Sequence, residues 1–273
     1  MRPNPFPYLN TTRGTIRMKV DKQSFAGRHA FITGGSRGIG FQTAIALGEA
    51  GAAVTVSDLT DHAVSEAVDK LRAAGVDASG VVLDVTDPDQ CDRVALELNG
   101  GAAVDVLVAN AGIAWPDTPA EEMSNEAWLK VIDTNLNGTF WTCRAFGRHM
   151  LAKGKGSIVT VGSMSGVISN KPQRQVQYNA SKAAVHHLTK SLAGEWAERN
   201  VRVNCVAPTY VNTVMSNVTA KDERFFKPWM DNTPMRRMVE PEEVASAIAF
   251  LASDAASAIT GTILLTDAGY TIW

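Results

Sequence analysis

Short apolar runs alternate with amphipathic stretches over most of this chain. The apolar runs are continuous and about four to six residues long, which is typical of strands buried on both faces of a parallel sheet. The amphipathic stretches have helical periodicity and would cover that sheet. We predict strands at 28–33, 53–57, 80–83, 104–109, 157–161, 202–206 and 262–265, and helices at 39–50, 61–74, 88–98, 125–152, 176–199 and 241–252.

The alternation begins at Phe25 and continues without an internal repeat, low-complexity tract or linker. We therefore predict an α/β protein with one domain at 25–273. Its core would be a doubly wound, seven-stranded parallel sheet with helices on both faces.

Residues 1–24 are predicted to form an N-terminal extension. The extension begins with a basic, proline-interrupted stretch that contains Arg2, Arg13 and Arg17 and has no apolar signal-peptide core. A flexible or subunit-covering segment is expected, and an organelle transit peptide or a start at Met18 are the alternatives.

A glycine-rich loop joins the first predicted strand to the first helix. Gly34, Gly38 and Gly40 have a spacing that lets the backbone turn tightly and approach a pyrophosphate closely. The start of the helix would offer free N–H groups and the positive end of its dipole to the phosphates. This strand–loop–helix context predicts a Rossmann-fold dinucleotide site, whose loop also contains the cofactor-binding candidates Ser36, Arg37 and Ile39.

The end of the second predicted strand bears on the choice of cofactor. Asp58 lies about twenty residues after the loop, where a carboxylate can bind both ribose hydroxyls of adenosine. The same charge would repel a 2′-phosphate, whereas Arg37 could pair with that phosphate. We favour NAD over NADP, and a turn or cap role for Asp58 is the alternative.

Two further strand ends contain candidates for the adenosine half of the cofactor. Asp84, followed by Val85, could accept a hydrogen bond from the adenine amino group, or it could belong to the cap region before Pro88. The small residues of Asn110-Ala111-Gly112 follow the fourth strand, where they would let the chain lie against the adenosine ribose.

Tyr178 and Lys182 are four residues apart in a predicted helix, so both side chains lie on one face. A phenol has an ordinary pKa of about 10, and a cation one turn away would lower it. Such a phenol could take or give the proton of an alcohol oxygen. Taken alone, the same spacing is also common on the solvated face of a helix.

In chain order, these motifs resemble those of the classical short-chain dehydrogenase/reductase family. The resemblance runs from Phe25 to Trp273, and it implies an enzyme that transfers hydride between a CH–OH group and a nicotinamide cofactor. Its motifs are the glycine loop, Asp84, Asn110-Ala111-Gly112, Asn135, Ser163, Tyr178, Lys182 and Pro208.

The resemblance implies a role for each catalytic candidate. Ser163 would hold the substrate oxygen, and Tyr178 would be the acid/base. Lys182 would lower the pKa of the tyrosine and bind the nicotinamide ribose, and Asn135 would hold a proton-relay water. Ser165 is the rival of Ser163, which is preferred because it follows its strand more closely.

The segment after the sixth strand would contact the nicotinamide. The resemblance places Pro208 at the cofactor and the backbone of Val211 at the nicotinamide carboxamide. The family usually has glycine after this proline, and here Thr209 narrows the backbone choices and adds a hydroxyl.

The segment between Ser163 and Tyr178 is rich in amides, since it contains Asn170, Gln173, Gln175 and Gln177. This segment, its continuation and the C-terminal residues 267–273 are similar to the polyol and ketose dehydrogenases of the family. Amides suit a polyhydroxylated substrate because each both donates and accepts, and a solvated loop is the alternative. The substrate-binding candidates are Ser163, Ser165, Asn170, Gln175 and Tyr178.

Two more segments are expected to take part in substrate binding or assembly. Residues 209–238 would form a lid, or else a subunit contact. The C-terminal Tyr270 and Trp273 are expected to be buried against a neighbouring subunit or near the lid, with a frayed tail as the alternative. The resemblance implies a homotetramer, with a dimer second, built by pairing the helices predicted at 125–152 and 176–199.

Composition limits the remaining classes. A net charge of −2 and a pI near 6.2 give no basic surface for nucleic acid. No apolar run is long enough for a membrane span. The three cysteines match neither a metal site nor a disulfide framework, which favours a reducing compartment and a cytoplasmic protein without a catalytic metal. His186 and His187 are expected to have surface or packing roles.

The leading hypothesis is an NAD-dependent dehydrogenase that interconverts a secondary alcohol of a sugar alcohol and the corresponding ketose. One alternative is a carbonyl or 3-oxoacyl thioester reductase that uses NAD(P)H, which Asp58 disfavours. A remote alternative is a non-catalytic NAD(H)-binding protein, which the intact catalytic set disfavours.

Overall fold

The computed structural model describes residues 25–101 and 103–273, apart from the side chains of Asn217 and Val218. The predicted N-terminal extension lies outside the described residues. The strands of the described chain are β1 His29–Thr33, β2 Ala53–Asp58, β3 Ala78–Val82, β4 Val106–Ala109, β5 Gly156–Val161, β6 Val201–Pro208 and β7 Ile263–Thr266. They form one parallel sheet of seven strands, as predicted, and their order in it is β3-β2-β1-β4-β5-β6-β7.

Helices cover both faces of this sheet. In the described residues they are α1 Gly38–Glu49, α2 Asp61–Ala73, α3 Pro88–Gly100, α4 Asn125–Ile132, α5 Gly138–Lys153, α6 Val176–Trp196, α7 Val214–Ala220, α8 Glu223–Asn232 and α9 Pro241–Ala252. Alternate residues of the central strands are therefore buried on opposite sides: Ala30 and Ile32 of β1 belong to the core beneath α1, α2 and α9, whereas Phe31 belongs to the core beneath α3, α5 and α6.

The order of the strands places a crevice beside β1. The chain leaves β1 toward β2 on one side and later returns to β4 on the other, so the loops after β1 and β4 diverge at the carboxyl edge of the sheet. Ligands of doubly wound sheets bind in the crevice that such a reversal opens. The predicted glycine loop and Asn110-Ala111-Gly112 both border it.

The long helix predicted at 125–152 is continuous but contains a change of pitch. A π-helical segment, Asp133–Asn137, separates α4 from α5, and the Gly138 N–H bonds to the carbonyl of Asp133, five residues earlier. Such segments are frequent at functional sites, and this one contains Asn135.

The segment predicted as an irregular lid contains two short helices, α7 and α8. Periodicity did not predict them because α7 is only seven residues long and α8 contains Pro228, a residue that usually interrupts helices. None of the helices in the described ranges is long and apolar enough to cross a membrane.

Candidate active site

The glycine loop has the conformation that a pyrophosphate site requires. Gly34 and Gly38 adopt φ values of +61° and +55°, in the left-handed region that favours glycine. A Cβ at Gly40 would lie 2.4 Å from the carbonyl oxygen of Gly34 and 2.6 Å from Nδ2 of Asn110, so no larger residue fits. Arg37 caps the amino end of α1 without a side-chain hydrogen bond, which leaves that end available to phosphates.

Asn110 and Thr33 hold the two sides of the crevice together. The Asn110 amide donates to the carbonyl oxygens of Thr33 and Gly34, both at 2.9 Å. In return, the Thr33 hydroxyl accepts the N–H groups of Asn110 and Ala111, both at 3.1 Å. Thr33 begins the glycine motif, but no contact was predicted for it, although a polar residue at the end of an apolar strand indicates one.

Asp58 lies at the end of β2 and is linked to the glycine loop. Its carboxylate accepts hydrogen bonds from the Ser36 hydroxyl and, at 2.8 Å, from the N–H of Leu59. Arg37 is exposed in the same loop. The structure therefore brings Ser36, Arg37 and Asp58 to one end of the crevice, as the sequence predicted.

Asp84 lies two residues beyond β3, and its carboxylate is turned toward its own backbone. One oxygen accepts from the N–H of Thr86 at 2.9 Å and from its hydroxyl at 2.7 Å. The cap of α3 is Asp87, which accepts the N–H groups of Asp89 and Gln90, so Asp84 is not the cap. Val85 is buried, where the missing side chain of Gly138 leaves room for it.

The catalytic candidates meet at the carboxyl end of β5. Ser163 lies two residues beyond that strand, and Tyr178 and Lys182 project from one face of α6. Tyr178 and Ser163 line the same cavity, and the Ser163 hydroxyl favours the phenolate form of Tyr178. The Lys182 ammonium donates to the carbonyl of Val161 at 2.8 Å and lies 5.7 Å from the centre of the Tyr178 ring.

Burial shifts the pKa values of both residues of this pair. Burial raises the pKa of Tyr178 above its ordinary value, and the Ser163 hydroxyl lowers it by less. Burial also lowers the pKa of Lys182 to about 8. The pKa of Tyr178 in the protein alone is therefore above its ordinary value, because loss of hydration disfavours the phenolate more than its neighbours favour it.

Asn135 is fully buried within the π-helical segment. Its Oδ1 accepts from the N–H of Ile113 at 2.8 Å, and its Nδ2 donates to the carbonyl of Ile113 at 3.0 Å and to the Ser181 hydroxyl at 3.1 Å. The side chain thereby ties the loop after β4 to α6. Both Nδ2 hydrogens are used, so a relay water bound by this amide would have to use the second lone pair of Oδ1.

Ser163 and Ser165 belong to one network. The Ser163 hydroxyl accepts the N–H of Ser165 and donates to its hydroxyl, each at 3.1 Å. Of the two hydroxyls, that of Ser163 is the one that lowers the pKa of Tyr178. This geometry favours Ser163 over Ser165 as the residue that acts with the tyrosine.

A cavity opens beside Ser163 and Tyr178. Amide side chains from the loop before α6 form much of its polar wall, with Asn170, Gln173 and Gln175 among them. Gln177 does not line the cavity; it is fully buried, and neither atom of its amide has a partner within the described residues. Trp115, in the loop after β4, lines the cavity without having been predicted.

The segment predicted as a lid contributes stacked rings to the wall of this cavity. Tyr210 and Trp229 are parallel, with ring centres 3.8 Å apart. Gln173 bridges them, since its Nε2 donates to the Tyr210 hydroxyl at 2.8 Å and its Oε1 accepts from Trp229 Nε1 at 3.0 Å. The same hydroxyl accepts from Asn170 at 3.3 Å, and Gln175 donates to the Asn170 carbonyl oxygen at 3.2 Å.

The chain around Pro208 runs along the same crevice. Pro208 ends β6, and the following Thr209 lines the cavity. Val211 is buried in an isolated bridge with Val239. Thr213, which no sequence signal indicated, lies so close to the glycine loop that a Cβ at Gly38 would be 3.3 Å from its methyl group.

The C-terminal segment is divided between the lid and the surface. Tyr270 is buried against Tyr210, with ring centres 5.7 Å apart, which confirms its expected place near the lid. Trp273 is 80% exposed in the single chain. Among the described residues, no group of three His, Cys, Asp or Glu side chains is arranged to hold a metal ion.

Comparison with known proteins gives long matches. A family model described as enoyl-(acyl carrier protein) reductase matches residues 34–271. Over 248 residues the chain is 50% identical to a galactitol 2-dehydrogenase of Rhizobium johnstonii, which covers 90% of this chain and 96% of that protein.

Two solved structures resemble this chain in fold over most of its length. A short-chain type dehydrogenase/reductase from Mycobacterium marinum is 38% identical, with a TM-score of 0.87 over 92% of this chain and 98% of that one. A gluconate 5-dehydrogenase from Burkholderia cenocepacia, in complex with NADP and tartrate, is 32% identical, with the same TM-score and the same coverage.

The raised pKa of Tyr178 predicts how activity should depend on pH. Near neutrality the phenol keeps its proton and can act as a donor, so carbonyl reduction should be favoured there. Alcohol oxidation needs a proton acceptor, so its kcat/KM should rise with pH as the phenolate forms, and the rise should continue up to the raised pKa of Tyr178.

Tyr178→Phe should lower turnover by about 10²–10⁴-fold in both directions and leave NADH binding nearly unchanged, as measured by NADH fluorescence.

Tyr270→Phe is the matched control, because it also removes one buried phenol hydroxyl but lies outside the catalytic group. The Tyr270→Phe protein should retain the pH profile of the wild type. A folded Tyr178→Phe protein with near wild-type turnover would contradict the assignment of Tyr178.

Proposed function

This chain belongs to the short-chain dehydrogenase/reductase family, and we propose that it interconverts a sugar alcohol and the corresponding ketose with NAD as the hydride carrier. The observation that supports this most is the cavity beside Tyr178, where amide and hydroxyl side chains converge on the catalytic group. The galactitol 2-dehydrogenase that shares half of its aligned residues supports a six-carbon polyol oxidised at C2.

The site has room for a nicotinamide dinucleotide. Gly34 and Gly38 leave the loop open, and a Cβ at Gly112 would come within 3.2 Å of Asn135 and 3.5 Å of Lys182, so glycine keeps this part of the crevice free. Asp58 would hold the adenosine ribose and Lys182 the nicotinamide ribose. When bound, the nicotinamide supplies the hydride acceptor.

Residues of the chain itself would bind the substrate oxygen and transfer its proton. Ser163 and Tyr178 would bind the hydroxyl of the reacting carbon. In oxidation, the Tyr178 phenolate takes the hydroxyl proton while the carbon loses hydride; in reduction, the phenol returns a proton to the carbonyl oxygen. Lys182 lies next to the tyrosine and is held by the carbonyl of Val161. The positive charge of its ammonium would stabilise the Tyr178 phenolate.

The amides of the cavity would select a polyol. Asn170 and Gln173 are at least nine-tenths buried and fixed by Tyr210, so their orientation is set before substrate enters. A polyol can replace the hydrogen bonds that its hydroxyl groups make to water with bonds to the remaining donors and acceptors of these amides, whereas an apolar alcohol offers those groups no partner.

A substrate panel tests the proposal. We expect NADH formation with galactitol and other hexitols, with a kcat/KM well above that of simple secondary alcohols such as 2-butanol. Preferential reduction of 3-oxoacyl thioesters would support the carbonyl-reductase alternative instead. NADH binding without turnover of any member of the panel would support a non-catalytic protein.

We propose NAD rather than NADP on the basis of Asp58. Its carboxylate lies at the end of β2, beside the glycine loop, where it would repel a 2′-phosphate. The gluconate 5-dehydrogenase of Burkholderia cenocepacia holds NADP, so the fold accommodates either cofactor. Arg37 would favour binding of a 2′-phosphate, but its side chain is exposed, so solvent screens its charge.

Substitution of Asp58 tests this choice. Asp58→Ala should raise kcat/KM for NADP relative to NAD, because it removes a like charge from the phosphate and a partner from the ribose. The ratio is measured with both cofactors side by side, and Asp61→Ala, an exposed carboxylate at the start of α2, is the control. A wild-type protein that already prefers NADP would show that Asp58 has been misread.

We also propose a cytoplasmic homotetramer. Trp128 and Leu129 of α4 and Val176 of α6 are exposed in the single chain on two helices that contact each other, and an exposed apolar patch on such a pair supports a subunit interface. All three cysteines are free and buried, in keeping with a reducing compartment. Light scattering at micromolar concentration should give the mass of four chains, and a single-chain mass would refute the assembly.

A further inference from the structure

His186 lies beneath the turn that contains Ser163. The side chain is 7% exposed, and its ring fits against two glycines of that turn. A Cβ at Gly162 would lie 2.4 Å from Nε2 of the ring, and a Cβ at Gly166 would lie 2.6 Å from its Cε1. Because these distances exclude larger residues at both positions, the ring and the turn are closely fitted to each other.

The ring also makes a directed contact with Ser163. The N–H of Ser163 donates to Nε2 of His186 at 3.4 Å. The preceding N–H, that of Gly162, donates to the carbonyl of Val206 in β6 at 2.8 Å. The Ser163 N–H is thus the first donor beyond the β5–β6 ladder, and its acceptor is a side chain of α6.

The position of His186 on α6 connects this contact to the catalytic group. Tyr178, Lys182 and His186 follow one another at intervals of four residues along one side of the helix. Lys182 holds the carbonyl of Val161, and His186 holds the N–H of Ser163. Two side chains of the tyrosine's own helix therefore fix the chain on either side of Gly162.

We propose that His186 is a positioning residue, whose Nε2 fixes the backbone of Ser163 so that the serine hydroxyl is aligned with Tyr178 on the substrate oxygen. The catalytic part of this inference rests on the proposed oxidoreductase function. Its structural part, the anchoring of the turn, does not.

The protonation state of the ring agrees with an acceptor role. Burial, together with the positive charges of Lys182 and Lys190, lowers the pKa of His186 to about 4. At neutral pH the imidazole is therefore uncharged, and Nε2 can accept if the ring hydrogen is on Nδ1. His187, the next residue, is exposed and serves as a control.

Three substitutions separate positioning from packing. His186→Leu removes the acceptor, His186→Gln places an amide oxygen near the position of Nε2, and His187→Leu removes an exposed ring. We expect His186→Leu to lower kcat about tenfold to a hundredfold, with the Kd for NADH unchanged. His186→Gln should recover most of kcat, and His187→Leu should match the wild type. Equal losses for Leu and Gln, or no loss for Leu, would overturn the proposal.

A double-mutant cycle tests whether His186 acts through Ser163. Ser163→Ala keeps the backbone N–H but removes the hydroxyl that His186 is proposed to align. In that background, His186→Leu should cause little further loss of kcat. A full additional loss would mean that the histidine affects catalysis by another route, and the proposal would fail.

Hydrogen exchange gives a readout that does not depend on turnover. Amide exchange in a peptide covering 162–166 should be faster in His186→Leu than in the wild type and should be restored in His186→Gln. If His186→Leu does not fold, His186→Asn replaces it, because its shorter side chain does not reach the Nε2 position. Unchanged exchange in the acceptor-deficient variant overturns the inference, whereas an inactive wild type with the expected exchange pattern overturns only the proposed function.

Discussion

The attachment of α6 to the carboxyl end of β5 is the contact on which the rest of the site depends. The buried ammonium of Lys182 donates to the carbonyl of Val161, and the ring of His186 accepts from the N–H of Ser163. A buried amine is costly unless it is bonded, so this contact satisfies Lys182 and sets the helix against the strand. Tyr178, one turn earlier, is thereby placed where it can bond to Ser163.

Asn135 provides the other fixed point of α6. Its amide bonds to both backbone groups of Ile113 and to Ser181, so the loop after β4 is joined to the catalytic helix. The π-helical segment changes the direction in which the Asn135 side chain projects from an otherwise regular helix. The dinucleotide crevice and the proton-transfer group are thus held in one frame, which is what hydride transfer between two bound molecules requires.

Local patterns predicted the sheet and the glycine loop because their causes are local. Apolar runs mark buried strands, and Gly34 and Gly38 are needed for their own backbone angles. The raised pKa of Tyr178 could not be predicted from its spacing to Lys182, because the burial that raises it depends on the whole fold. Gln177 follows the other amides in the sequence, but it belongs to α6, and its side chain is buried away from the cavity that they line. The four-residue spacing of Tyr178, Lys182 and His186 was available in the sequence, but only the folded turn supplied its partner, Ser163.

Transfer of a labelled hydrogen tests the central claim most directly, namely that a secondary alcohol beside Tyr178 passes its hydride to a nicotinamide in the adjoining crevice. Galactitol deuterated at its secondary carbons is incubated with the protein and NAD, and the reduced cofactor is examined by mass spectrometry. We predict one deuterium in each molecule of NADH, formed together with an equal amount of ketose. NADH without deuterium, or ketose formed without NADH, would contradict the account.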